Sequence, residues 1–209
     1  MNDLEKFGNI PIDNAVLSDL IGNYKFPRNK IAAMEKRGEI VRLKKGLYVV
    51  SDKISRTKIS RELIANHLYG VSYVSLETAL SHYGLILEKV FAIRSITTKR
   101  AKQFENAFGR FEYVSVPVNC FSIGIRQQII DNEYAYLIAT PEKALYDLIL
   151  ATPNLRLQSV KAMQAYLEND LRVDFSAVQN IDLDIIRQCI EVGRKKGELK
   201  QLLKVLSEL

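Results

Sequence analysis

The chain has 209 residues, of which 47% are hydrophobic and 26% are charged, and its formal net charge is +6. This composition is typical of a globular protein of one or two domains and argues against a disordered or fibrous chain. No apolar run approaches the roughly 18 residues of a membrane helix, and the first residues lack a cationic start before an apolar core, so we expect a cytoplasmic protein that binds no membrane.

Residues suited to metal binding or redox chemistry are few. Cys120 and Cys189 are the only cysteines, and both lie in apolar segments, which favours buried, reduced thiols over a disulfide. The two histidines, His67 and His82, have no second ligand or nucleophile at a useful spacing. The sequence therefore predicts no metal ion and no cofactor.

The first 55 residues contain three helical patterns followed by two strand patterns. Apolar spacing indicates short helices over Leu4–Ile10 and Pro11–Ile21, and a third over Pro27–Arg37, where a proline opens the first turn. Glu39–Leu43 and Gly46–Val50 read as two strands joined by a basic turn. Three helices and a hairpin form the winged helix-turn-helix arrangement, whose last helix enters the major groove of DNA.

The positive charge of the chain is concentrated in this part. Residues 25–45 hold eight basic side chains and two acidic ones, so their excess equals the net charge of the whole chain. A concentrated basic segment on the elements that would touch DNA predicts a polyanion contact. A protein-binding winged module with a solvated basic face is the alternative interpretation.

The predicted DNA contacts are of two kinds. Ile31 and Met34 are the expected inward pair of the third helix, which leaves the opposite face for base edges. The residues assigned to that face are Asn29, Lys30, Ala33, Lys36 and Arg37. The residues assigned to phosphates, at the helix start and on the hairpin, are Arg28, Arg42, Lys44 and Lys45.

Residues 56–209 are predicted to form a second domain of mixed α/β structure. A polar linker over Ser51–Ser60 leads to a helix over Arg61–Leu68. The predicted strands are Val90–Thr97, Phe111–Val118 and Tyr134–Ala139.

A second basic spot, Lys99, Arg100 and Lys102, precedes the aromatic residues Phe104, Phe108, Phe111 and Tyr113. Basic and aromatic side chains together can hold a nucleic-acid strand by stacking. The favoured interpretation is that the aromatic residues belong to the core beside an exposed loop. The three basic residues remain a second candidate nucleic-acid contact.

Catalytic patterns are weak. Ser55–Lys58 matches a Ser-x-x-Lys spacing without the motifs that accompany it in enzymes, and the glycines do not form a phosphate loop. Glu77, Glu142 and Asp147 occur singly on predicted helices, where capping and solvated roles are expected. We therefore predict that the chain is not an enzyme; a nucleic-acid-processing enzyme is the alternative from a different class.

Two motifs in the second domain begin helices in a similar way. In VSYVSLETALSHYGLI, residues 71–86, Ser75 is the expected cap and Gly84 the expected stop; in ATPEKALYDL, residues 139–148, Thr140 is the expected cap. With Thr97–Arg100, TTKR, these motifs resemble the second domain of AbiEi-type antitoxins, the regulators of bacterial type IV toxin–antitoxin operons that act in abortive infection and phage defence.

The resemblance implies a transcriptional repressor that controls its own promoter and counteracts a nucleotidyltransferase-type toxin. It does not imply a stable complex with the toxin. Operators of small winged proteins are often inverted repeats, so we expect two copies on one double-stranded site. A stand-alone winged-helix transcription factor without a toxin is the alternative.

The chain after about residue 151 is predicted to be a helical tail. Thr152–Asn154 should break the preceding helix, and apolar spacing predicts three amphipathic helices over Leu157–Leu167, Ile185–Val192 and Leu199–Leu206. Their apolar stripes complete a core or dock a partner, and the pattern fits both. The predicted fold class is thus α+β: an N-terminal winged helix-turn-helix, a mixed α/β antitoxin-like domain and a helical tail.

Overall fold

Two sheets and the helices packed around them give the chain an α+β fold. The computed structural model describes residues 3–22, 24–88, 90–177 and 181–208. Apolar side chains form a smaller core near the N-terminus and a larger core in the rest of the chain. Among the described residues, no helix combines the length and the apolar character needed to cross a membrane.

The N-terminal elements are a 3-10 helix, Asp3–Phe7, strand β1, Ile12–Asp13, helices α1, Asn14–Ile21, and α2, Pro27–Lys36, and strands β2, Ile40–Lys44, and β3, Leu47–Val50. The strands form an antiparallel sheet in the order β1-β3-β2. The predicted third helix and the predicted hairpin are confirmed, and each of their ends differs from the prediction by no more than one residue. The second helix begins later than predicted, because Ile12 pairs with Tyr48 in the sheet and Asp13 caps α1.

Strand β3 separates the two cores. Alternate residues of a strand point to opposite faces of the sheet. Tyr48 and Val50 accordingly join the smaller core, with Leu4, Ile12, Leu17, Ile31, Met34 and Ile40. Leu47 and Val49 join the larger core, together with Leu43 of β2. The hairpin is therefore covered on both faces and links the two parts of the chain.

The second part contains helix α3, Asp52–Ser55, helix α4, Arg61–Leu68, strand β4, Ser72–Val74, helix α5, Leu76–His82, strands β5, Ile93–Thr97, β6, Lys102–Asn106, and β7, Gly109–Ser115, helix α6, Val118–Phe121, and strands β8, Ile125–Ile130, and β9, Tyr134–Ala139. The six strands form one sheet in the order β6-β7-β5-β4-β9-β8. The β5–β7 and β4–β9 pairs are parallel, and the others are antiparallel. The predicted strand at Tyr134–Ala139 is confirmed at both ends.

The tail packs back onto the chain. It follows helix α7, Pro141–Ala151. Its elements are α8, Val160–Ala165, continued by a π-helical turn, Tyr166–Asp170, a 3-10 turn, Phe175–Ala177, and helices α9, Leu183–Val192, and α10, Lys196–Ser207. Their apolar stripes lie in the larger core, where Met163, Ile186 and Leu202 are fully buried. The stripes thus complete the core of this chain. Cys120 and Cys189 are buried free thiols, as predicted.

The two sequence motifs meet at a buried ion pair. The Nζ of Lys143 lies 2.8 Å from an oxygen of Asp147, and neither side chain is exposed to solvent. Asp147 also accepts hydrogen bonds from the hydroxyls of Tyr73 and Ser75, at 3.0 and 2.7 Å. Lys143 donates a second hydrogen bond to the carbonyl of Cys120 at 2.7 Å. Strand β4 and helix α7 are therefore joined through polar groups inside the core.

Three expectations are corrected in this region, those for Asp147, Ser75 and Glu142. Asp147 is not a solvated helix residue; it is tolerated in the core because a lysine one turn earlier and two hydroxyls compensate its charge. Ser75 stands at the N-cap position of α5, but its hydroxyl is taken by Asp147 and makes no capping hydrogen bond. Glu142 is also buried, and it accepts a hydrogen bond from the backbone N–H of Asp182. Thr140, in contrast, caps α7 as predicted.

Candidate nucleic-acid interface

Helix α2 turns one apolar side inward and leaves the rest of its surface polar. Ile31 and Met34, 3% and 4% exposed, pack in the smaller core, which confirms the predicted inward pair. Pro27 opens the helix, and Gly38 follows its end with a φ of +69°, a conformation that glycine adopts without strain. The position of α2 is thus set by apolar anchors on one side only.

A cleft of about 420 Å³ lies between α2 and the hairpin. The residues that line it are Asn14, Arg28, Ile31, Ala32, Arg42, Lys45, Gly46 and Tyr48. Three of these, Arg28, Arg42 and Lys45, are exposed cations contributed by the start of the helix and by the hairpin. A second depression beside it is lined by Lys25 and Arg28 among others. We call this surface, with its cations Lys25, Arg28, Arg42 and Lys45, the hairpin cleft.

Two of the predicted contact arginines are held by glutamates. Arg42 lies 2.5 Å from Glu35 and over the ring of Tyr48, while Arg37 bonds Glu39 at 2.7 and 3.1 Å. The hydrogen bond that Arg42 donates to Glu35 raises the pKa of Arg42, and the bond that Arg37 donates to Glu39 lowers the pKa of Glu39. Exposed pairs of this kind contribute little to stability because solvent screens them, so they orient the guanidinium groups more than they stabilise the fold.

The predicted base-reading residues do not share one face. Asn29 and Lys36 are exposed along the outer side of α2, together with Ala32. Lys30 and Arg37 lie on the flank toward Tyr24 and Glu39 instead, with Lys30 5.4 Å from the centre of the Tyr24 ring. Ala33 is half-buried on that same flank.

The division follows from helical geometry. With 3.6 residues per turn, positions 29, 32 and 36 form one stripe and positions 30, 33 and 37 another. Ala32 is therefore the small residue beside the hairpin cleft that the sequence interpretation missed. Counting turns outward from Ile31 and Met34 would have identified it.

Lys44 does not line the hairpin cleft, although the sequence assigned it to phosphates together with Lys45. Its Nζ donates to the carbonyl of Leu68, at 2.5 Å, and lies 6.0 Å from the centre of the Phe104 ring. The β2–β3 register shifts between Arg42 and Lys44, and such an irregularity re-aims the side chain that follows it. Burial and, less strongly, the charges of Lys102 and Lys99 lower the pKa of Lys44.

Lys44 instead meets the second basic spot. The Nζ atoms of Lys99 and Lys102 each lie 5.5 Å from the centre of the Tyr69 ring, and that of Lys102 lies 4.8 Å from the centre of the Phe104 ring. Arg100 is exposed, and its carbonyl accepts a hydrogen bond from the Tyr69 hydroxyl. We call Lys44, Lys99 and Lys102 the lysine cluster.

The aromatic residues near this cluster divide between core and surface. Phe111 and Tyr113 are buried, which confirms the core interpretation for them, whereas Phe104 and Phe108 are half-buried. For the described ranges, no group of three histidine, cysteine, aspartate or glutamate side chains is arranged to hold a metal ion.

No family model matches the chain, and no curated protein is significantly similar to it.

Proposed function

We propose that the chain is a winged-helix transcriptional repressor that binds double-stranded DNA, with α2 in the major groove and the β2–β3 hairpin as the wing. The observation that carries the proposal is the hairpin cleft, where the start of α2 and the hairpin present Arg28, Arg42 and Lys45 beside an exposed polar helix stripe. A major groove about 12 Å wide accepts a helix of this kind.

The side chains on the outer stripe of α2 suit base edges. The Asn29 amide matches the donor and acceptor pattern of adenine, and the Lys36 ammonium matches the acceptors of guanine. Ala32 between them is small and exposed, so it allows the helix to approach the bases. The cations of the hairpin cleft, at the edge of the same surface, are suited to the flanking phosphates.

The direct test is the salt dependence of binding to the duplex that lies upstream of the chain's own coding sequence. For an Arg28→Gln, Lys45→Gln double variant, we expect the slope of log K against log salt to become shallower by roughly 2, because each phosphate contact contributes about 0.9 to the slope. The matched control is Lys161→Gln, Lys200→Gln, which removes two exposed charges from the tail. Equal slopes in the wild type and both variants would refute the groove-binding surface.

We further propose that the chain is an AbiEi-type antitoxin, as its motifs suggest, and that it represses its own operon and counteracts a nucleotidyltransferase-type toxin. Support comes from the way the two motifs pack. Tyr73 and Ser75 of the first motif donate hydrogen bonds to Asp147 of the second, so these two motifs form one structural unit. A stable complex with the toxin is not part of the proposal.

Growth rescue tests the antitoxin role. The adjacent reading frame is expressed with and without this chain. We expect that expression of that frame alone arrests growth and that co-expression of this chain restores growth. The Arg28→Gln, Lys45→Gln variant separates the two roles, since it should lose repression of a promoter reporter. Absence of a neighbouring nucleotidyltransferase frame, or of rescue, would leave a stand-alone transcription factor.

A further inference from the structure

We propose that the lysine cluster is a second phosphate-binding site for the same duplex, formed where the hairpin meets the six-stranded sheet. The inference rests on the proposed DNA binding and extends it from the N-terminal elements to the second part of the chain. Lys44 comes from β2, Lys99 from the turn after β5 and Lys102 from β6, so the fold brings Lys44 beside two lysines that are far from it in sequence.

The cluster collects positive charge without a carboxylate to balance it. No ion pair between described residues includes a lysine of the cluster; the pairs that form there are made by arginines or by Lys143. Lys44 is half-buried; burial is the main cause of its lowered pKa, and the charges of Lys102 and Lys99 lower that pKa further. Repulsion among like charges is relieved when an anion binds between them.

The cluster is held in place by contacts between the two parts of the chain. Asn106 of β6 donates to the carbonyl of Leu43 at 3.2 Å, and Lys44 itself donates to the carbonyl of Leu68. Gly70 has a φ of +56°, and a Cβ built there would lie 2.2 Å from the Nζ of Lys99. The glycine therefore leaves the space that the Lys99 ammonium occupies beside the backbone.

The geometry favours phosphate over a stacked base as the ligand. The Tyr69 ring packs against Phe104 and Tyr113 with centroid separations of 5.6 and 5.2 Å, and two ammonium groups lie over it. Because lysines and neighbouring rings already contact Tyr69 and Phe104, the rings serve to position the cations. The groups that remain to bind a ligand are ammonium N–H donors, which suit phosphate oxygens.

The lysine cluster lies next to the hairpin cleft, on the other side of the end of β2. Lys44 and Lys45 are adjacent in the chain, yet Lys45 lines the cleft and Lys44 belongs to the cluster, so the end of β2 separates the two cationic surfaces. Each strand of a duplex carries one phosphate for roughly every 3.4 Å of the helix axis. The backbone of one strand can therefore supply phosphates to both the hairpin cleft and the lysine cluster. The second part of the chain would then help to position DNA.

The test compares three double variants in salt titrations with the upstream duplex and with an unrelated duplex of equal length. For Lys99→Gln, Lys102→Gln we expect the salt slope to become shallower by roughly 2 and the affinity at 0.1 M salt to fall more than tenfold on both duplexes, with their ratio unchanged. The Lys161→Gln, Lys200→Gln control should match the wild type. Circular dichroism melting checks that each variant is folded.

The outcomes separate the two proposals. A wild type that does not bind the upstream duplex overturns both. Only the lysine-cluster site is overturned if the wild type binds the duplex, Arg28→Gln, Lys45→Gln binds it more weakly, and Lys99→Gln, Lys102→Gln binds it as the wild type does. If Lys99→Gln, Lys102→Gln weakened the binding of a single-stranded oligonucleotide but not of either duplex, the cluster would bind a single strand, and this inference would be overturned.

Discussion

At the scale of single residues, two charged side chains have at least one hydrogen-bond partner that lies far away in sequence. Asp147 is buried because Lys143, Tyr73 and Ser75 surround it, and Lys44 turns from the cleft toward Leu68. Neither the burial of Asp147 nor the direction of the Lys44 side chain could be predicted from the charge of the residue and its position in the element. Apolar anchors such as Ile31 and Met34 were predictable, because their spacing alone determines which side of a helix is buried.

Removing Lys143 should destabilise the chain strongly. In a Lys143→Met variant the Asp147 carboxyl would remain fully buried without its cation, and breaking a buried pair in this way costs about 3–5 kcal/mol. The free energy of unfolding in urea measures the loss. The control is Lys161→Met at an exposed position of α8, for which we expect a change within about 0.5 kcal/mol. A loss below about 1 kcal/mol for Lys143→Met would show that the pair contributes little.

At the scale of elements, strongly patterned segments were predicted and weakly patterned ones were not. Helix α2 and the β2–β3 hairpin have a proline start, glycine punctuation and apolar spacing, and they form where expected. Strands β6 and β8, KQFEN and IRQQII, lie at the two edges of the large sheet and are rich in polar residues. Their pairing with β7 and β9 supplies the order that their own sequences do not signal.

The N-terminal cap of α1 offers a test of an element near the cleft. The Asp13 carboxylate accepts hydrogen bonds from the N–H groups of Ala15 and Val16, both at 2.9 Å. We expect Asp13→Ala to lower the free energy of unfolding by about 1 kcal/mol, since loss of a cap leaves helix donors without their partner. Asp13→Asn, which can still cap, should cost only a few tenths of that amount. Equal losses for both substitutions would show that the charge, and not the cap, is responsible.

At the scale of the whole molecule, the hairpin makes the two parts interdependent. Leu43, Leu47 and Val49 lie in the larger core, whereas Tyr48 and Val50 of the same hairpin lie in the smaller one. The sequence predicted two parts and a polar linker, but it did not predict that the hairpin is covered on both faces. That feature depends on contacts with α4 and β6, which no local pattern encodes.

A Leu43→Ala variant tests this interdependence. Leu43 is 3% exposed, and truncating a buried leucine costs about 2–5 kcal/mol. Because the two cores share the hairpin, we expect native-state hydrogen exchange to show the same loss of protection in α2 and in β5. Leu17→Ala, in the smaller core, should likewise weaken both regions. A loss in β5 after Leu43→Ala with α2 unchanged would mean that the parts unfold independently.

The central claim, that α2 reads the major groove of DNA, is tested most directly by dimethyl sulfate footprinting of the duplex upstream of the chain's own coding sequence. Dimethyl sulfate methylates N7 of guanine, which faces the major groove. The bound wild-type chain should protect guanine N7 atoms within the site, and Asn29→Ala, Lys36→Ala should abolish that protection. Binding that leaves every guanine N7 as reactive as in free DNA, or no binding at all, would contradict the claim.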